Sequence, residues 1–143
     1  MKKLLLILLL ISLAGCSKDA TETRNKSGVV TDTSIKKESI DVYSSDGIKI
    51  SANYTYKMDK VKQPLVILIH QFRSDKQQWS QSFIDSLLKK GYKVLAYDIR
   101  SHGESGKAKV DISDLLSNPD QAPKDIDAVI KWAKLQPSID SNK

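Results

Sequence analysis

Pro64-Leu65-Val66-Ile67-Leu68-Ile69-His70-Gln71-Phe72-Arg73-Ser74-Asp75 opens the part of the chain that decides the fold. Leu65 to Ile69 is an unbroken apolar run, the pattern of a strand buried on both faces of a sheet. A polar loop begins at His70. Ser74 with Gln77 three residues later has the spacing of a capping box, which predicts a helix starting there. Trp79, Phe83, Leu87 and Leu88 then fall along one helical stripe. Lys89 and Lys90 suit the negative end of the helix dipole, and Gly91 stands where a left-handed cap belongs. Val94-Leu95-Ala96-Tyr97 is a second buried strand, ending in Asp98. Two apolar strands joined by such a helix predict a right-handed parallel crossover. Ligands of such sheets gather at the carboxyl ends of the strands. Those ends carry His70-Gln71-Phe72 and Asp98-Ile99-Arg100-Ser101-His102-Gly103-Glu104-Ser105.

Upstream, order is expected from Glu38. Ile40 and Val42 alternate with charged neighbours, and Ser45-Asp46-Gly47 is a turn signal. Ile48, Ile50, Ala52, Tyr54 and Tyr56 alternate as in a half-buried strand, so a hairpin precedes the crossover. Downstream, Val110 to Leu116 predicts one short helical turn. Pro123 suits the first turn of a helix that shows Ile126, Val129, Ile130 and Ala133 on one face, widened by Trp132 and Leu135. Pro137 ends it. Ile139 to Lys143 reads as a polar connection with no strand after it.

The chain's 143 residues fit one small domain, and lysines and arginines exceed acids by 23 to 17. The lysines are scattered, which reads as a solvated surface rather than a basic patch. No nucleic-acid module is present, nor the aromatic–basic interleaving that single strands need. Met1-Lys2-Lys3 is a basic start, and Leu4 to Leu13 an apolar core too short to span a bilayer. Leu13-Ala14-Gly15-Cys16 closes it with small residues before the only cysteine, and is similar to a bacterial lipobox. The expected organisation is a lipoprotein signal peptide over 1–15, lipidated Cys16 with a flexible polar tether over 16–37, and a folded domain over 38–143. The membrane lipid holding Cys16 is then a partner. The protein is expected at a bacterial cell membrane, outside the cytoplasm.

The paired loops resemble those of an α/β-hydrolase. That family joins strand–His-Gly-x through a helix to strand–Asp-x-Arg-x-x-Gly-x-Ser, and the likeness covers roughly Glu38 to the C-terminus. It implies an α/β fold, a half-sheet built from an antiparallel hairpin, a parallel β-α-β unit and a further helix. It also implies hydrolysis of an ester or related acyl small molecule by the full-length form. By position the Phe72 N–H is the candidate oxyanion-hole donor, with His70 and Gln71 in the same loop; Gln71 stands where the family often has glycine. The family's nucleophile strand, its G-x-S-x-G elbow and the later acid and histidine have no match here. In Gly103-Glu104-Ser105-Gly106, the nearest string, Gly106 comes one place early and Lys107 fills the second glycine's place. No catalytic residue is therefore expected in this chain, and the other readings are a tethered binding module without catalysis or a gene remnant.

His70 reads as a structural histidine bonding its loop, Asp98 and Arg100 as a charge pair pinning the next one, and His102 as a surface residue. No histidine or cysteine pair has metal-ligand spacing, so neither metal nor cofactor is expected. Without the nucleophile strand the Leu65–Ile69 edge would be unpaired, a template for self-association.

Overall fold

The computed structural model describes residues 34–141. The expected leader, Cys16 and most of the expected tether lie outside the described residues. Four strands, β1 (Ile35–Tyr43), β2 (Lys49–Lys57), β3 (Leu65–Ile69) and β4 (Lys93–Tyr97), form one sheet in the order β1-β2-β4-β3. β1 and β2 make the hairpin, β2 runs antiparallel to β4, and β3 runs parallel to β4 with Ile67 opposite Leu95. Helix α1 (Gln81–Lys89) makes the crossover from β3 to β4, and α2 (Ala122–Lys134) follows the loop after β4. The expected half-sheet is what forms.

Alternation along β4 divides the core. Val94 and Ala96 join Leu68, Ile84 and Leu88 on the α1 face. Leu95 and Tyr97 join Ile50, Ala52, Tyr54, Val129 and Ala133 on the α2 face. Trp132 meets Tyr54 edge-on, with ring centroids 5.2 Å apart.

Several boundaries differ from the sequence reading. β1 starts at Ile35, because β2 offers partners back to Lys57 and pairing extends the strand into the expected tether. Ser51 and Thr55 are buried, so β2 is covered on both faces rather than half-buried. Ser74 caps nothing: Asp75 caps a short 3-10 turn (Lys76–Gln78), and α1 begins later under Ser80, whose Oγ accepts the Phe83 N–H at 3.3 Å. Trp79 therefore precedes α1, stacking on Phe83 at 5.6 Å, while Ile84 and Leu88 supply the buried stripe. Leu135 lies past the end of α2 and is 74% exposed, so it does not widen the helix's apolar face. The cap at Gly91 forms as expected, with φ +83° and the Tyr92 N–H bonded to Leu87 O at 3.1 Å. The predicted turn before α2 is a 3-10 turn over Ile112–Asp114.

β3 is less buried than its composition suggests. Only Leu68 is buried, and Ile69 is 48% exposed, because among the described residues no strand pairs along its outer edge. Pairing does begin just before β3. Ile139 is buried and bridges Gln63 in parallel, with Asp140 N–H to Gln63 O at 2.9 Å. Ile139 is thus a packed position and not merely a polar connection.

One buried cation ties three elements. The Arg100 guanidinium has no exposed surface and bonds Asp46 through Nη1 at 2.8 Å and Nη2 at 3.0 Å. Its Nε reaches Asp125 at 2.9 Å, its Nη1 reaches Gln121 at 3.1 Å, and its own N–H also bonds Asp125 at 2.9 Å. The hairpin turn, the loop after β4 and the first turn of α2 meet there. The expected Asp98–Arg100 pair does not form, since each takes other partners. The Arg100 guanidinium holds the Asp46 carboxyl far below the usual carboxylate range. Burial pushes Asp125 up although Arg100 opposes it, so its charge depends on that cation. Arg100→Met should cost about 3–5 kcal/mol, because it strands a buried carboxylate. Asp46→Asn, at a carboxyl partly in water, should cost well under half as much in denaturant unfolding. Equal losses would show that Asp125 does not need the cation.

Candidate functional site

The loops after β3 and β4 lie side by side, and Asp98 joins them. Its carboxylate is fully buried. It accepts the Lys76 N–H and the Lys76 ammonium, each at 2.6 Å, and the Glu104 N–H at 2.9 Å. Lys76 is itself only 4% exposed, and also reaches Glu104 at 2.7 Å. Burial pulls the Lys76 ammonium down, but the bonds to Asp98 and Glu104 outweigh it and the net shift is upward. The same ammonium lowers Glu104. Gly103 has φ +48°, and any Cβ there would overlap the Asp98 carboxylate. Ser105 Oγ donates to Asp98 O at 2.6 Å and accepts the Ser51 N–H at 2.8 Å, which docks the loop on β2. That hydroxyl is occupied structurally, and among the described residues no base bonds to it.

The β3 loop is held one peptide plane at a time. The Gln71 N–H donates to Gln78 Oε1 at 3.1 Å. Gln71 O accepts from Ser74 N at 3.1 Å and from His70 Nδ1 at 2.8 Å. His70 Nε2 accepts the Ile99 N–H at 3.1 Å, so the proton lies on Nδ1 and the ring is spent on backbone. A trans peptide sets its N–H opposite its C=O. Anchoring Gln71 O therefore aims the Phe72 N–H away from His70 and Ser74, and among the described residues that N–H meets no acceptor. Arg73 follows with φ +66°, its N–H donating to His102 Nε2 at 3.2 Å. Phe72 is 40% exposed, with its ring 5.4 Å from that of His102.

The structure thus brings His70, Gln71, Phe72 and His102 together, while the Arg100 guanidinium turns to Asp46, Gln121 and Asp125. His102 is buried, contrary to the expected surface position, because it receives the Arg73 N–H and donates Nδ1–H to Arg100 O at 3.1 Å. Lys76 was missed. No local pattern separates a buried lysine from a solvated one, and the available hint was its distance of 22 residues from an acid at a strand end. Among the described residues no three His, Cys, Asp or Glu side chains gather as a metal site. An open hollow of about 480 Å³ lies on the α1 face by Lys76, Trp79, Asn53 and Glu104, but the Phe72 loop does not line it.

The alpha/beta hydrolase fold family matches residues 64–142, more than half of the chain. This chain belongs to that family. An esterase of Pyrococcus furiosus, Pf2001, is similar at 28% identity and TM-score 0.58, over 73% of this chain and 39% of that one. Acetyl xylan esterase 1 of a Thermoanaerobacterium species is similar at 19% identity and TM-score 0.62, over 80% of this chain and 40% of that one. A hypothetical protein of Pseudomonas aeruginosa is similar at 20% identity and TM-score 0.62, over 76% and 33%. The chain therefore spans a third to two fifths of the length of these structures. No curated protein matches the sequence.

Membership explains the Asp-x-Arg-x-x-Gly-x-Ser string in physical terms, since each of its named residues has a bonding or space requirement met here. Gly103→Ala should cost about 3–5 kcal/mol or prevent folding, by forcing a methyl into the Asp98 carboxylate. Gly91→Ala, also at positive φ but facing open space, should cost only about 1–2 kcal/mol. Denaturant midpoints of the two variants check this; equal costs would mean that backbone strain, not the close approach, fixes Gly103.

Proposed function

We propose that this chain carries the oxyanion-binding loop of an ester or related acyl hydrolase, held by lipid on Cys16 at a bacterial membrane outside the cytoplasm. The Phe72 N–H carries the reading: it is a backbone donor beyond the carboxyl end of β3, aimed away from the groups that hold Gln71 O and unpartnered among the described residues. A pre-aimed donor of this kind stabilises the negative oxygen of an acyl-transfer transition state, and removing one typically costs about 10²–10³ in rate. Gln71 in place of glycine is compatible with the geometry, because the positive φ falls at Arg73. The similarity, at 28% identity, to an esterase of Pyrococcus furiosus supports the acyl substrate class. The anchoring rests on the Leu13-Ala14-Gly15-Cys16 sequence; among the described residues no helix is long and apolar enough to cross a membrane.

Three measurements test the reading. Butyrate, whose carboxylate imitates the oxyanion, should shift the Phe72 amide resonance saturably; an unmoved resonance would overturn the donor assignment. The 143-residue chain should leave p-nitrophenyl butyrate at the buffer rate, with Ser105→Ala no different. Turnover abolished by that substitution would make Ser105 a nucleophile despite its bonds. Cys16→Ala should move the protein from the membrane fraction to the soluble or unprocessed one, and unchanged retention with a cleaved leader would rule out the anchor.

A further inference from the structure

We propose that His102 is a positioning residue for the Phe72 donor, an inference that rests on the oxyanion reading of that loop. Two peptide planes meet at the Phe72 Cα. The first, between Gln71 and Phe72, carries the donor and is fixed by His70 and Ser74 at its carbonyl. The second, between Phe72 and Arg73, has one side-chain partner for its N–H, and that is His102 Nε2 at 3.2 Å. With both planes held, φ and ψ of Phe72 are set, and the donor has one direction.

The hold works against a cost. Arg73 is left-handed at φ +66°, a region that is strained for any residue with a Cβ. Such a conformation persists only where neighbouring contacts over-determine it. Here the contacts are the bond to His102 and the Arg73 guanidinium lying 5.9 Å from the Phe72 ring centre. Without the acceptor Arg73 can relax toward ordinary backbone angles and turn Phe72 with it.

His102 is built for this task. Its Nδ1–H is committed to Arg100 O at 3.1 Å, which leaves the Nε2 lone pair facing the Arg73 N–H. Its own N–H bonds Ile99 O at 3.1 Å, and its carbonyl takes the Ser105 N–H at 3.1 Å. The ring therefore stands on the rigid loop after β4 rather than on the loop it holds. Ile99 also donates to His70, so both histidines take their bearing from one short segment. Their centroids are 5.1 Å apart.

The test uses the full chain. In the unchanged protein, ¹⁵N spectra should show His102 as the Nδ1–H tautomer, with a coupling across the hydrogen bond between Arg73 N and His102 Nε2. The opposite tautomer, or no coupling, overturns the proposal whatever the variants do. His102→Phe keeps a ring against Phe72 but removes the acceptor. It should speed Arg73 amide exchange about tenfold and abolish the butyrate shift at Phe72, while exchange at Leu95 and Tyr97 stays unchanged. His102→Gln places an amide oxygen near the former Nε2 and should restore much of both effects. A His102→Phe protein that keeps slow Arg73 exchange and the butyrate shift overturns the proposal; so does loss of core protection that His102→Gln fails to mend. Should butyrate leave Phe72 unmoved in the unchanged protein while Arg73 behaves as expected, the oxyanion reading fails and the clamp stands.

Discussion

Asp98 follows β4 directly with no exposed surface, and its carboxylate is the point at which the two loops of the site become one object. An ionised carboxyl removed from water costs several kcal/mol unless donors replace the lost solvent. Two backbone N–H groups and the Lys76 ammonium do so here. The requirement acts in both directions. It draws Lys76 out of solvent, which makes the β3 loop tighten into a 3-10 turn under Asp75 and delays α1 to Ser80. It also brings the backbone at Gly103 so close that no side chain fits. One buried charge therefore sets where a helix begins and where a glycine must stand.

A second buried charge works independently on the other side. Arg100 binds the hairpin turn and the first turn of α2, while Asp98 binds the loop after β3. Two residues apart in sequence, they act on different halves of the domain. Pairing them with each other would have satisfied both charges and positioned nothing. Because each instead reaches more than twenty residues away, the loop after β4 becomes the frame against which the hairpin, α2 and the β3 loop are located. Ser105 closes that frame on β2.

What could be read from the sequence follows from this division. The apolar runs at Leu65–Ile69 and Val94–Tyr97, the cap at Gly91 and the alternation of the hairpin are local signals, and they placed the strands and the crossover correctly. Ser74 and Ser80 are chemically equal as caps. The choice between them came from Lys76 meeting Asp98, a contact no local rule contains. The start of β1 depended on partners in β2 rather than on residues 35–37. His102 looked like a surface residue because its loop is polar. It is buried because that polarity is used internally, one nitrogen to Arg100 O and the other to the Arg73 N–H.

The same reasoning explains why the loop after β3, with the donor proposed to face an oxyanion, is hard to recognise from its letters. The group proposed to work there is a backbone N–H, which every residue except proline has, so the side chains at 71 and 72 do not encode it. What encodes it is the set of side chains that fix the peptide planes: Gln78 on the plane before Gln71, His70 on the plane that holds the donor, and His102 on the plane after Phe72. Glycine after the histidine is one way to give such a loop its turn. Here the left-handed residue is moved to Arg73, and a histidine from the neighbouring loop holds it. A loop defined by three clamps can exchange its glycine for Gln71 without losing the direction of its donor. The direction depends on acceptors and donors supplied from up to 29 residues away, and these are the positions at which substitution should be least tolerated.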